Sequence, residues 1–303
     1  MKRPIKIVVA SLAGLVVVVA AAAGVVSKLA DRKLHRIVEL PPIQATFAPA
    51  DGQLEHGKYL FNSRGCMECH GADGAGHVVI DDKDSGFFVR APNITAGGAS
   101  PARSYTDTDW VRTVRHGVKP SGEPLLIMPS EDYARMTDAD VGAIVAYVRS
   151  LPPANGGPAE FSPWPLPIKA AYLFGAIKDA AERIDHAAPA PEAVPDELLA
   201  RGQYVAQGCT GCHGPHLSGG KIPGAPPDWP AAANLTPGAG SAMTVYADAQ
   251  AFATMLRTGR RPDGSAISTV MPFAALRAMN DTDVQAIWLH LKALPPKALG
   301  EGR

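Results

Sequence analysis

The four cysteines of the chain lie in two Cys-x-x-Cys pairs, and a histidine directly follows each pair. The first motif runs from Cys66 to His70, and the second runs from Cys209 to His213, 143 residues further along. No cysteine is left for a structural disulfide, so packing or a bound group must hold the fold together. Any fold for this chain must therefore present the same short local geometry twice.

The string Cys-x-x-Cys-His is an attachment signal for c-type haem. Its two thiols reach the two vinyl groups on one edge of the porphyrin, and the histidine turns its imidazole to the iron. One Cys-x-x-Cys pair alone is also compatible with zinc or a redox dithiol. Two copies in matching contexts, with no surrounding βαβ pattern, favour two covalently bound haem c groups. The attachment residues are Cys66, Cys69 and His70 in one motif and Cys209, Cys212 and His213 in the other.

Matches outside the two motifs indicate an internal repeat. They keep nearly the same spacing as the motifs, with small insertions between them. Each repeat has about 100 residues, which is a comfortable size for a single domain. The matching strings are Asn93-Ile94-Thr95 with Asn234-Leu235-Thr236, Met128-Pro129 with Met271-Pro272, and Leu151-Pro152-Pro153 with Leu294-Pro295-Pro296.

Apolar periodicity predicts helices at both ends of each repeat. A short helical stretch precedes each Cys pair, over residues 54–63 and 197–207. A stronger helix closes each repeat, with apolar residues at i, i+3, i+4 and i+7. Thr137 and Asn280 are the predicted N-caps of these closing helices, and Pro-Pro pairs follow their ends. The apolar positions are Val141, Ile144, Val145 and Val148, and then Val284, Ile287, Trp288 and Leu291.

These patterns predict a mostly α fold with two tandem domains and long loops, since no window shows sustained β-type alternation. The domains are predicted over residues 51–153 and 196–303, with a Pro- and Ala-rich linker over 154–195. Within the linker, apolar positions over 168–184 predict a helix docked between the domains, with a second membrane contact as the weaker alternative. Residues 1–50 are predicted to hold a membrane anchor and a spacer.

The N-terminal segment contains an uncharged apolar run over residues 7–26. As a helix, it would extend roughly 30 Å, which is the thickness of the hydrocarbon core of a bilayer. A cleaved signal peptide is the alternative, since residues 20–23 are small. The apolar region of a signal peptide is usually about 7 to 15 residues long, so the length favours an uncleaved transmembrane helix. Haem c is attached outside the cytoplasmic membrane, which places the body on the periplasmic side of the inner membrane.

The sixth ligand of each iron is predicted to be methionine, the usual partner in electron-carrying cytochromes c. Met136 and Met279 directly precede the N-caps, where they would form hydrophobic staples. Met128 and Met271 lie instead in non-helical segments before proline, each 58 residues after its motif histidine. They are the predicted ligands, and the alternative is that both fill the core. Bis-histidine ligation is disfavoured because the remaining candidates do not match between repeats: His77, His116, His216 and His290.

With these motifs, both repeats resemble class I cytochrome c domains. Over roughly 51–153 and 196–297, they resemble the cytochrome c subunits of membrane-bound periplasmic alcohol, aldehyde and gluconate dehydrogenases. Those subunits typically carry three haem domains, so this chain looks like a two-haem relative. The resemblance implies that Met128 and Met271 complete the two iron sites. It leaves two options for Arg115 and Arg257, which either approach the haem propionates or are solvated surface residues.

The resemblance implies an electron-transfer role, without a catalytic site of the chain's own. Electrons would come from a periplasmic dehydrogenase or a quinol-linked donor and pass towards a terminal oxidase or a soluble cytochrome. One alternative is a two-haem subunit of a cbb3-type oxidase, although the motifs lie closer together in that family. A two-haem peroxidase or sulfur-compound dehydrogenase is another, which requires an iron with an open or unusual site. The zero net charge gives no indication of nucleic-acid binding.

Overall fold

The computed structural model describes residues 3–84, 86–226 and 228–302. The outer ends of the predicted anchor segment (1–50) and second domain (196–303) therefore lie outside the described residues. The structure is mostly helical, as predicted, and the repeats have the same order of helices. The first repeat contains α2 (Gln53–Ser63), α3 (Cys66–His70), α4 (Asp107–His116), α5 (Ser130–Tyr133) and α6 (Asp138–Ser150). The second contains α8 (Leu198–Val205), α9 (Thr210–His213), α10 (Ala249–Thr258), α11 (Phe273–Arg277) and α12 (Asp281–Ala293).

The closing helices α6 and α12 begin at the predicted caps. The Thr137 hydroxyl accepts a hydrogen bond from Asp140 N at 3.0 Å, and the Asn280 side chain accepts one from Asp283 N at 2.8 Å. The predicted apolar faces are buried, apart from a partly exposed Trp288. Each helix therefore packs its apolar stripe into the core of its own repeat, and each ends just before its Pro-Pro pair.

A glycine lies where the first and last helices of each repeat cross. A Cβ added to Gly57 on α2 would lie 2.0 Å from the carbonyl oxygen of Ala143 on α6. A Cβ added to Gly202 on α8 would lie 2.0 Å from the carbonyl oxygen of Ala286 on α12. Neither backbone can approach its partner so closely with a side chain in between, so glycine sets the distance between these helices.

Substituting either crossing glycine by alanine should lower the free energy of unfolding by about 1–3 kcal/mol, as expected for overpacking against backbone. Chemical denaturation of the haem-loaded chain, followed by circular dichroism, measures this loss. The matched control is Gly157→Ala, since a Cβ at Gly157 meets nothing within 4 Å. The control should change stability by less than about 0.5 kcal/mol. Equal losses at Gly57 and Gly157 would contradict the steric explanation.

A small antiparallel sheet accompanies the mostly α fold, although no window of the sequence shows sustained β-type alternation. Strand β1 (Val78–Asp82) pairs with β2 (Phe87–Arg90), and β2 pairs with β3 (Glu160–Phe161). These strands have two to five residues, too few for an alternating pattern to stand out in the sequence. Because β3 belongs to the predicted linker, the start of the linker is bound to the first repeat.

The linker helix differs from the prediction in extent and in position. Helix α7 covers Leu166–Leu173 and ends before Gly175, whose φ of 80° stops the helix. A separate 3₁₀ turn follows at Ala180–Glu182. Instead of lying between the two repeats, α7 packs along the C-terminal part of the N-terminal helix α1 (Arg3–Leu34). The apolar pattern correctly predicts a helix, but it does not indicate which element of the fold the helix packs against.

A buried ion pair attaches the end of α1 to the linker. The Arg36 guanidinium donates two hydrogen bonds to Asp179, at 2.7 and 3.0 Å, and a third to the Tyr172 hydroxyl at 2.7 Å. Burial alone would raise the pKa of Asp179, but the hydrogen bonds from Arg36 and Tyr172 outweigh burial and lower it. The α1 helix therefore has a fixed attachment to the rest of the chain.

The apolar part of α1 is exposed along most of its length. Residues Ile7–Leu34 are long and apolar enough to cross a membrane, judged by length and composition. Their position near the N-terminus is equally typical of a signal sequence. The packing of α7 against α1 begins only near the end of the apolar run, so most of the run has no protein surface against it.

Candidate haem-binding sites

Both motif histidines are oriented by a backbone carbonyl. His70 Nδ1 donates to the carbonyl oxygen of Pro92 at 3.0 Å, and His213 Nδ1 donates to that of Ala233 at 2.8 Å. A carbonyl can only accept, so Nδ1 carries the proton, and Nε2 is the ring nitrogen that can coordinate a metal. Burial lowers the pKa of His70, which favours the neutral imidazole that can act as a ligand. The sequence reasoning did not find these two carbonyls, because backbone acceptors have no sequence signature.

The first cysteine of each motif lies in apolar surroundings. Burial raises the pKa of Cys66 to about 12, and it raises the pKa of Cys209 to about 12 as well. Redox dithiols have the opposite property, a lowered thiol pKa in an electropositive site. The chemistry of these pairs therefore fits thioether attachment to an apolar group and does not fit a dithiol exchange site.

The second repeat contains a cavity between its motif and its closing helix. Cys209, His213 and Met271 all line it, together with apolar side chains of α10 and α12. All of the lining residues belong to the second repeat. The lining, which is mostly apolar with a histidine and methionines, fits an apolar cofactor.

The cavity does not by itself select one methionine as the ligand. Met243, Met255 and Met279 line it as well, and all three are buried in the core of the second repeat. Met271 is only partly buried and packs against that core from its edge. Met279 has the predicted position just before the cap of α12. The choice of Met271 therefore still depends on the loop position and on the match with Met128.

The two candidate methionines occupy the same backbone turn. Met128 O accepts a hydrogen bond from Ser130 N at 2.9 Å, and Met271 O accepts one from Phe273 N at 2.8 Å. The proline between donor and acceptor has φ −80° and ψ 62° in the first repeat and φ −77° and ψ 69° in the second. These values define an inverse γ-turn. The Met-Pro string thus produces one conformation twice, just ahead of α5 and α11.

The first repeat offers a buried cation close to its core. Met128 packs at the edge of the core that also contacts Cys66. Arg115 on α4 is 7% exposed, and its Nε atom has no hydrogen-bond partner in the described part of the chain. Its Nη2 pairs with Asp138 at 2.7 Å, and Arg257 forms the corresponding pair with Asp281 at the surface. An unpartnered buried donor of this kind fits an anionic group such as a haem propionate.

One alternative histidine ligand faces away from the candidate site. His116 Nδ1 lies 3.0 Å from Nδ1 of His186, which belongs to the linker. Burial, together with the neighbouring positive charges, lowers the pKa of His116 to about 4. His116 therefore contributes to the contact between α4 and the linker.

Residues 54–152 match the family model described as cytochrome c. This range begins in α2 and ends just after α6, so it covers the first repeat with its attachment motif. The gluconate 2-dehydrogenase cytochrome c subunit of Pantoea cypripedii is 28% identical over 276 residues, which cover 82% of this chain. The fructose dehydrogenase cytochrome subunit of Gluconobacter japonicus is 27% identical over 86% of the chain. The cytochrome c subunit of the quinone alcohol dehydrogenase of Gluconacetobacter polyoxogenes is 27% identical over 84%.

The chain is a relative of dehydrogenase cytochrome c subunits. The matches cover 60%, 57% and 58% of the three relatives' own lengths, so the chain spans somewhat more than half of each. They extend through most of the chain, and so past the range of the family model into the second repeat.

The two motif helices, α3 and α9, each contact the opposite repeat in a reciprocal manner. Glu68 on α3 accepts a hydrogen bond from Ala275 N at 3.3 Å, and Asp132 on α5 accepts one from Gly211 N on α9 at 3.0 Å. Position 68 corresponds to 211, and 132 corresponds to 275, at the offset of 143. The contact therefore has the pattern of a two-fold interface, in which each patch meets its own counterpart.

A second pair of contacts follows the same symmetry. The Tyr59 hydroxyl of the cytochrome's first repeat donates to Asp283 of the second repeat, and the Tyr204 hydroxyl donates to Asp140, both at 2.5 Å. Arg64 of the first repeat also pairs with Asp283 at 3.0 Å. Burial alone would raise the pKa of Asp283, but Tyr59 and Arg64 outweigh burial and lower it. The interface thus contains two buried carboxylates that bind residues of both repeats, since Asp283 also accepts from Arg201 and Asp140 also pairs with His56, both at 2.7 Å.

Replacing Tyr59 or Tyr204 by phenylalanine should weaken the interface of the cytochrome. Each change removes one donor to a buried carboxylate, and the free energy of unfolding should fall by about 1–3 kcal/mol. Thermal unfolding of the haem-loaded chain measures the loss. The control is Tyr147→Phe, which keeps its ring packed on Phe61 within the first repeat at a centroid distance of 5.4 Å. A loss at Tyr147 as large as that at Tyr59 would contradict a role for the interface.

Acid should weaken the same contact. The pKa of Asp283 is lowered in the folded chain, so its contribution to the free energy of unfolding is complete above the pKa of an unfolded aspartate, about 3.9. This contribution is lost as the pH falls through the lower pKa of the folded state. The Asp283→Asn variant cannot titrate at this position. Between pH 5 and the pH of acid unfolding, its free energy of unfolding should therefore fall by less than that of the unmodified chain. Chemical denaturation at each pH measures this difference. Parallel pH profiles would contradict this assignment.

Proposed function

We propose that the chain is a two-haem, membrane-anchored cytochrome c that carries electrons from a periplasmic dehydrogenase towards a terminal oxidase or a soluble cytochrome. A quinol-linked donor is the second possible source. Haem c supplies a one-electron Fe(III)/Fe(II) couple when it is bound. The protein's part is to fix its orientation, exclude water and hold the axial ligands in place, and no catalytic site of its own is required.

Each repeat supplies one set of ligands in this proposal. Both sets contain two cysteines that would form thioethers, a histidine whose Nδ1 is held by a backbone carbonyl, and a methionine in an inverse γ-turn. The second set is supported by the cavity of the second repeat, which is lined by Cys209, His213 and Met271. The proposed sets are Cys66, Cys69, His70 and Met128 for one haem, and Cys209, Cys212, His213 and Met271 for the other.

The reciprocal contacts of α3 with α11 and of α9 with α5 are the observation that carries the proposal of an electron relay. Each attachment helix approaches the other repeat, through Glu68 with Ala275 and through Gly211 with Asp132. Because the thiols on these helices are the attachment points, the attached edges of both haems would face the same interface. A short path between two redox centres suits a carrier that transfers one electron at a time.

The proposed location is the inner membrane, with α1 as an uncleaved anchor and the two repeats on the periplasmic side. The support is the packing of α1 against α7 and the buried Arg36–Asp179 pair, which join the anchor to the body. This attachment lies after residues 20–23 and would also remain in a cleaved chain, so the preference for an uncleaved anchor depends on the length and exposure of the apolar run. Mass spectrometry of the mature chain tests this directly, since cleavage within residues 20–23 would remove the apolar run.

Purification of the full chain from its own membranes tests the electron-transfer role. The expected result is a complex with a dehydrogenase subunit, in which addition of that enzyme's substrate reduces both haems. A redox titration should show two one-electron steps. Copurification with a haem–copper oxidase core would instead support the cbb3-type alternative. Peroxide turnover with one iron that binds external cyanide would support the peroxidase-like alternative, because that chemistry needs an open coordination position.

A further inference from the structure

We infer that the N-terminal turn of α7, with the tryptophan before it, rests in the lipid–water interface beside α1. The surface consists of Trp164, Leu166 and Ile168, and its partner is the phospholipid bilayer itself. This inference rests on the proposed insertion of α1. It adds a second, peripheral contact between the same chain and the membrane, made by a segment of the linker.

The position of α7 along α1 follows from a row of α1 residues that are partly or fully buried. Ala23, Val26 and Ser27 are only partly exposed, whereas their neighbours around the helix are exposed. Further on, Ala30 and Leu34 are buried, with 0% and 8% exposure. These positions lie on one face of α1, and α7 is the helix that packs there. The contact therefore begins within the apolar run 7–26 and continues beyond it.

Polar contacts fix the direction of α7 relative to α1. Lys169 Nζ lies 3.0 Å from Ser27 Oγ and 2.7 Å from Asp31, while Lys33 Nζ donates to the carbonyl oxygen of Tyr172 at 2.8 Å. Later residues of α7 thus meet later residues of α1, and the helices run parallel. Leu166 precedes Lys169 by three residues, which is about 4.5 Å along the axis. Leu166 therefore lies beside the last turn of the apolar run of α1.

Two aliphatic side chains at this level are exposed, and a partly buried tryptophan lies next to them. Leu166 is 41% exposed and Ile168 is 37% exposed, and Trp164 packs edge-on against Tyr172 at 5.4 Å. A single exposed leucine on a soluble surface has no meaning by itself. Here, however, two aliphatic side chains and a tryptophan follow one another at the depth where α1 leaves the hydrocarbon. Tryptophan is enriched at that boundary in membrane proteins.

Basic groups at the next level fit lipid headgroups. Lys28 and Arg32 on α1 are exposed, one and two turns beyond the apolar run. Cationic side chains close to a bilayer surface are attracted to anionic lipids by about 1 kcal/mol each. The order from the membrane outward is thus an apolar helix, an apolar and aromatic turn, and then basic groups. This order matches the profile of a bilayer from hydrocarbon to headgroup.

The test uses a fluorophore that reports polarity, attached at Leu166→Cys in the full, haem-loaded chain. The chain is reconstituted in vesicles of phosphatidylcholine and phosphatidylglycerol that contain no other protein. We expect the emission to shift to shorter wavelength and to be quenched by lipids with a nitroxide near the headgroup. The Ile168→Cys variant repeats the measurement in case the first variant is not produced.

Three control positions make the outcome decisive. Labels at Phe174→Cys and Leu299→Cys, where the native side chains are 76% and 56% exposed, should show neither the shift nor the quenching. A label at Leu15→Cys should be quenched by nitroxides placed deep in the bilayer. If that label is quenched while positions 166 and 168 behave like 299, α1 is inserted and the inference is wrong. If the label at Leu15 is not quenched either, the proposed insertion of α1 fails and the inference falls with it.

Discussion

Replacing Cys66 and Cys69 together by alanine should reduce the haem content of the purified chain from two equivalents to one. In the proposed arrangement, the two thiols are the covalent links of the first haem, and without them the group would have only its axial contacts. The second site should remain loaded, because every residue that lines its cavity belongs to the second repeat. Alkaline pyridine haemochrome spectra, related to protein concentration, give the number of haems per chain.

The Cys209→Ala/Cys212→Ala variant is the matched counterpart and should also keep one equivalent. The two single-haem proteins then provide the separate spectra of the two sites. If either variant kept both haems, the lost cysteines would not be attachment residues. If the unmodified chain held only one haem, the proposed two-haem relay would be wrong regardless of the variants.

Replacing Met128 or Met271 by histidine should lower the midpoint potential of one haem only. Methionine as an axial ligand raises the potential relative to a second histidine. We expect a decrease on the order of 0.1–0.3 V, within the roughly 0.8 V that axial ligands span. A spectroelectrochemical titration of the full chain measures this shift. The absorption band of the sulfur-to-Fe(III) bond should fall to half of its original intensity at the same time.

The controls for the methionine experiment are Met136→Leu and Met279→Leu. Both residues directly precede the capped closing helices, and both are buried, with 6% and 8% exposure. Their replacement by another apolar residue should reduce stability by less than about 1.5 kcal/mol and leave both potentials unchanged. A shift in potential for Met279→Leu but not for Met271→His would reassign the sixth ligand of the second haem.

The elements whose signals are local were predictable from the sequence. The closing helices begin at Thr137 and Asn280, as their caps indicate, and their apolar faces are buried as the periodicity requires. The attachment motifs are helical, and each is preceded by a helix at the predicted place. The mostly α fold and the relationship to dehydrogenase cytochrome c subunits also agree with the expectation.

The features that depend on distant partners could not be predicted. The Pro92 and Ala233 carbonyls orient the motif histidines from 22 and 20 residues away, and a backbone acceptor has no residue type to recognise. Asp140 and Asp283 follow the predicted N-caps by three residues, a spacing typical of a capping signal. Their backbone amides fill that role, while the carboxylates reach tyrosines of the opposite repeat. Strand β3 is two residues long and gives no pattern at all.

The reciprocal carboxylate contacts also bear on how substitutions accumulate in a duplicated chain. Two copies of one gene segment are ordinarily free to change separately. Here Tyr59 satisfies a carboxylate encoded 224 residues later, and Tyr204 satisfies one encoded 64 residues earlier. A change of either aspartate therefore alters which residues the other copy can accept. In related two-repeat chains, we therefore expect the tyrosine of one repeat and the aspartate of the other repeat to be substituted together.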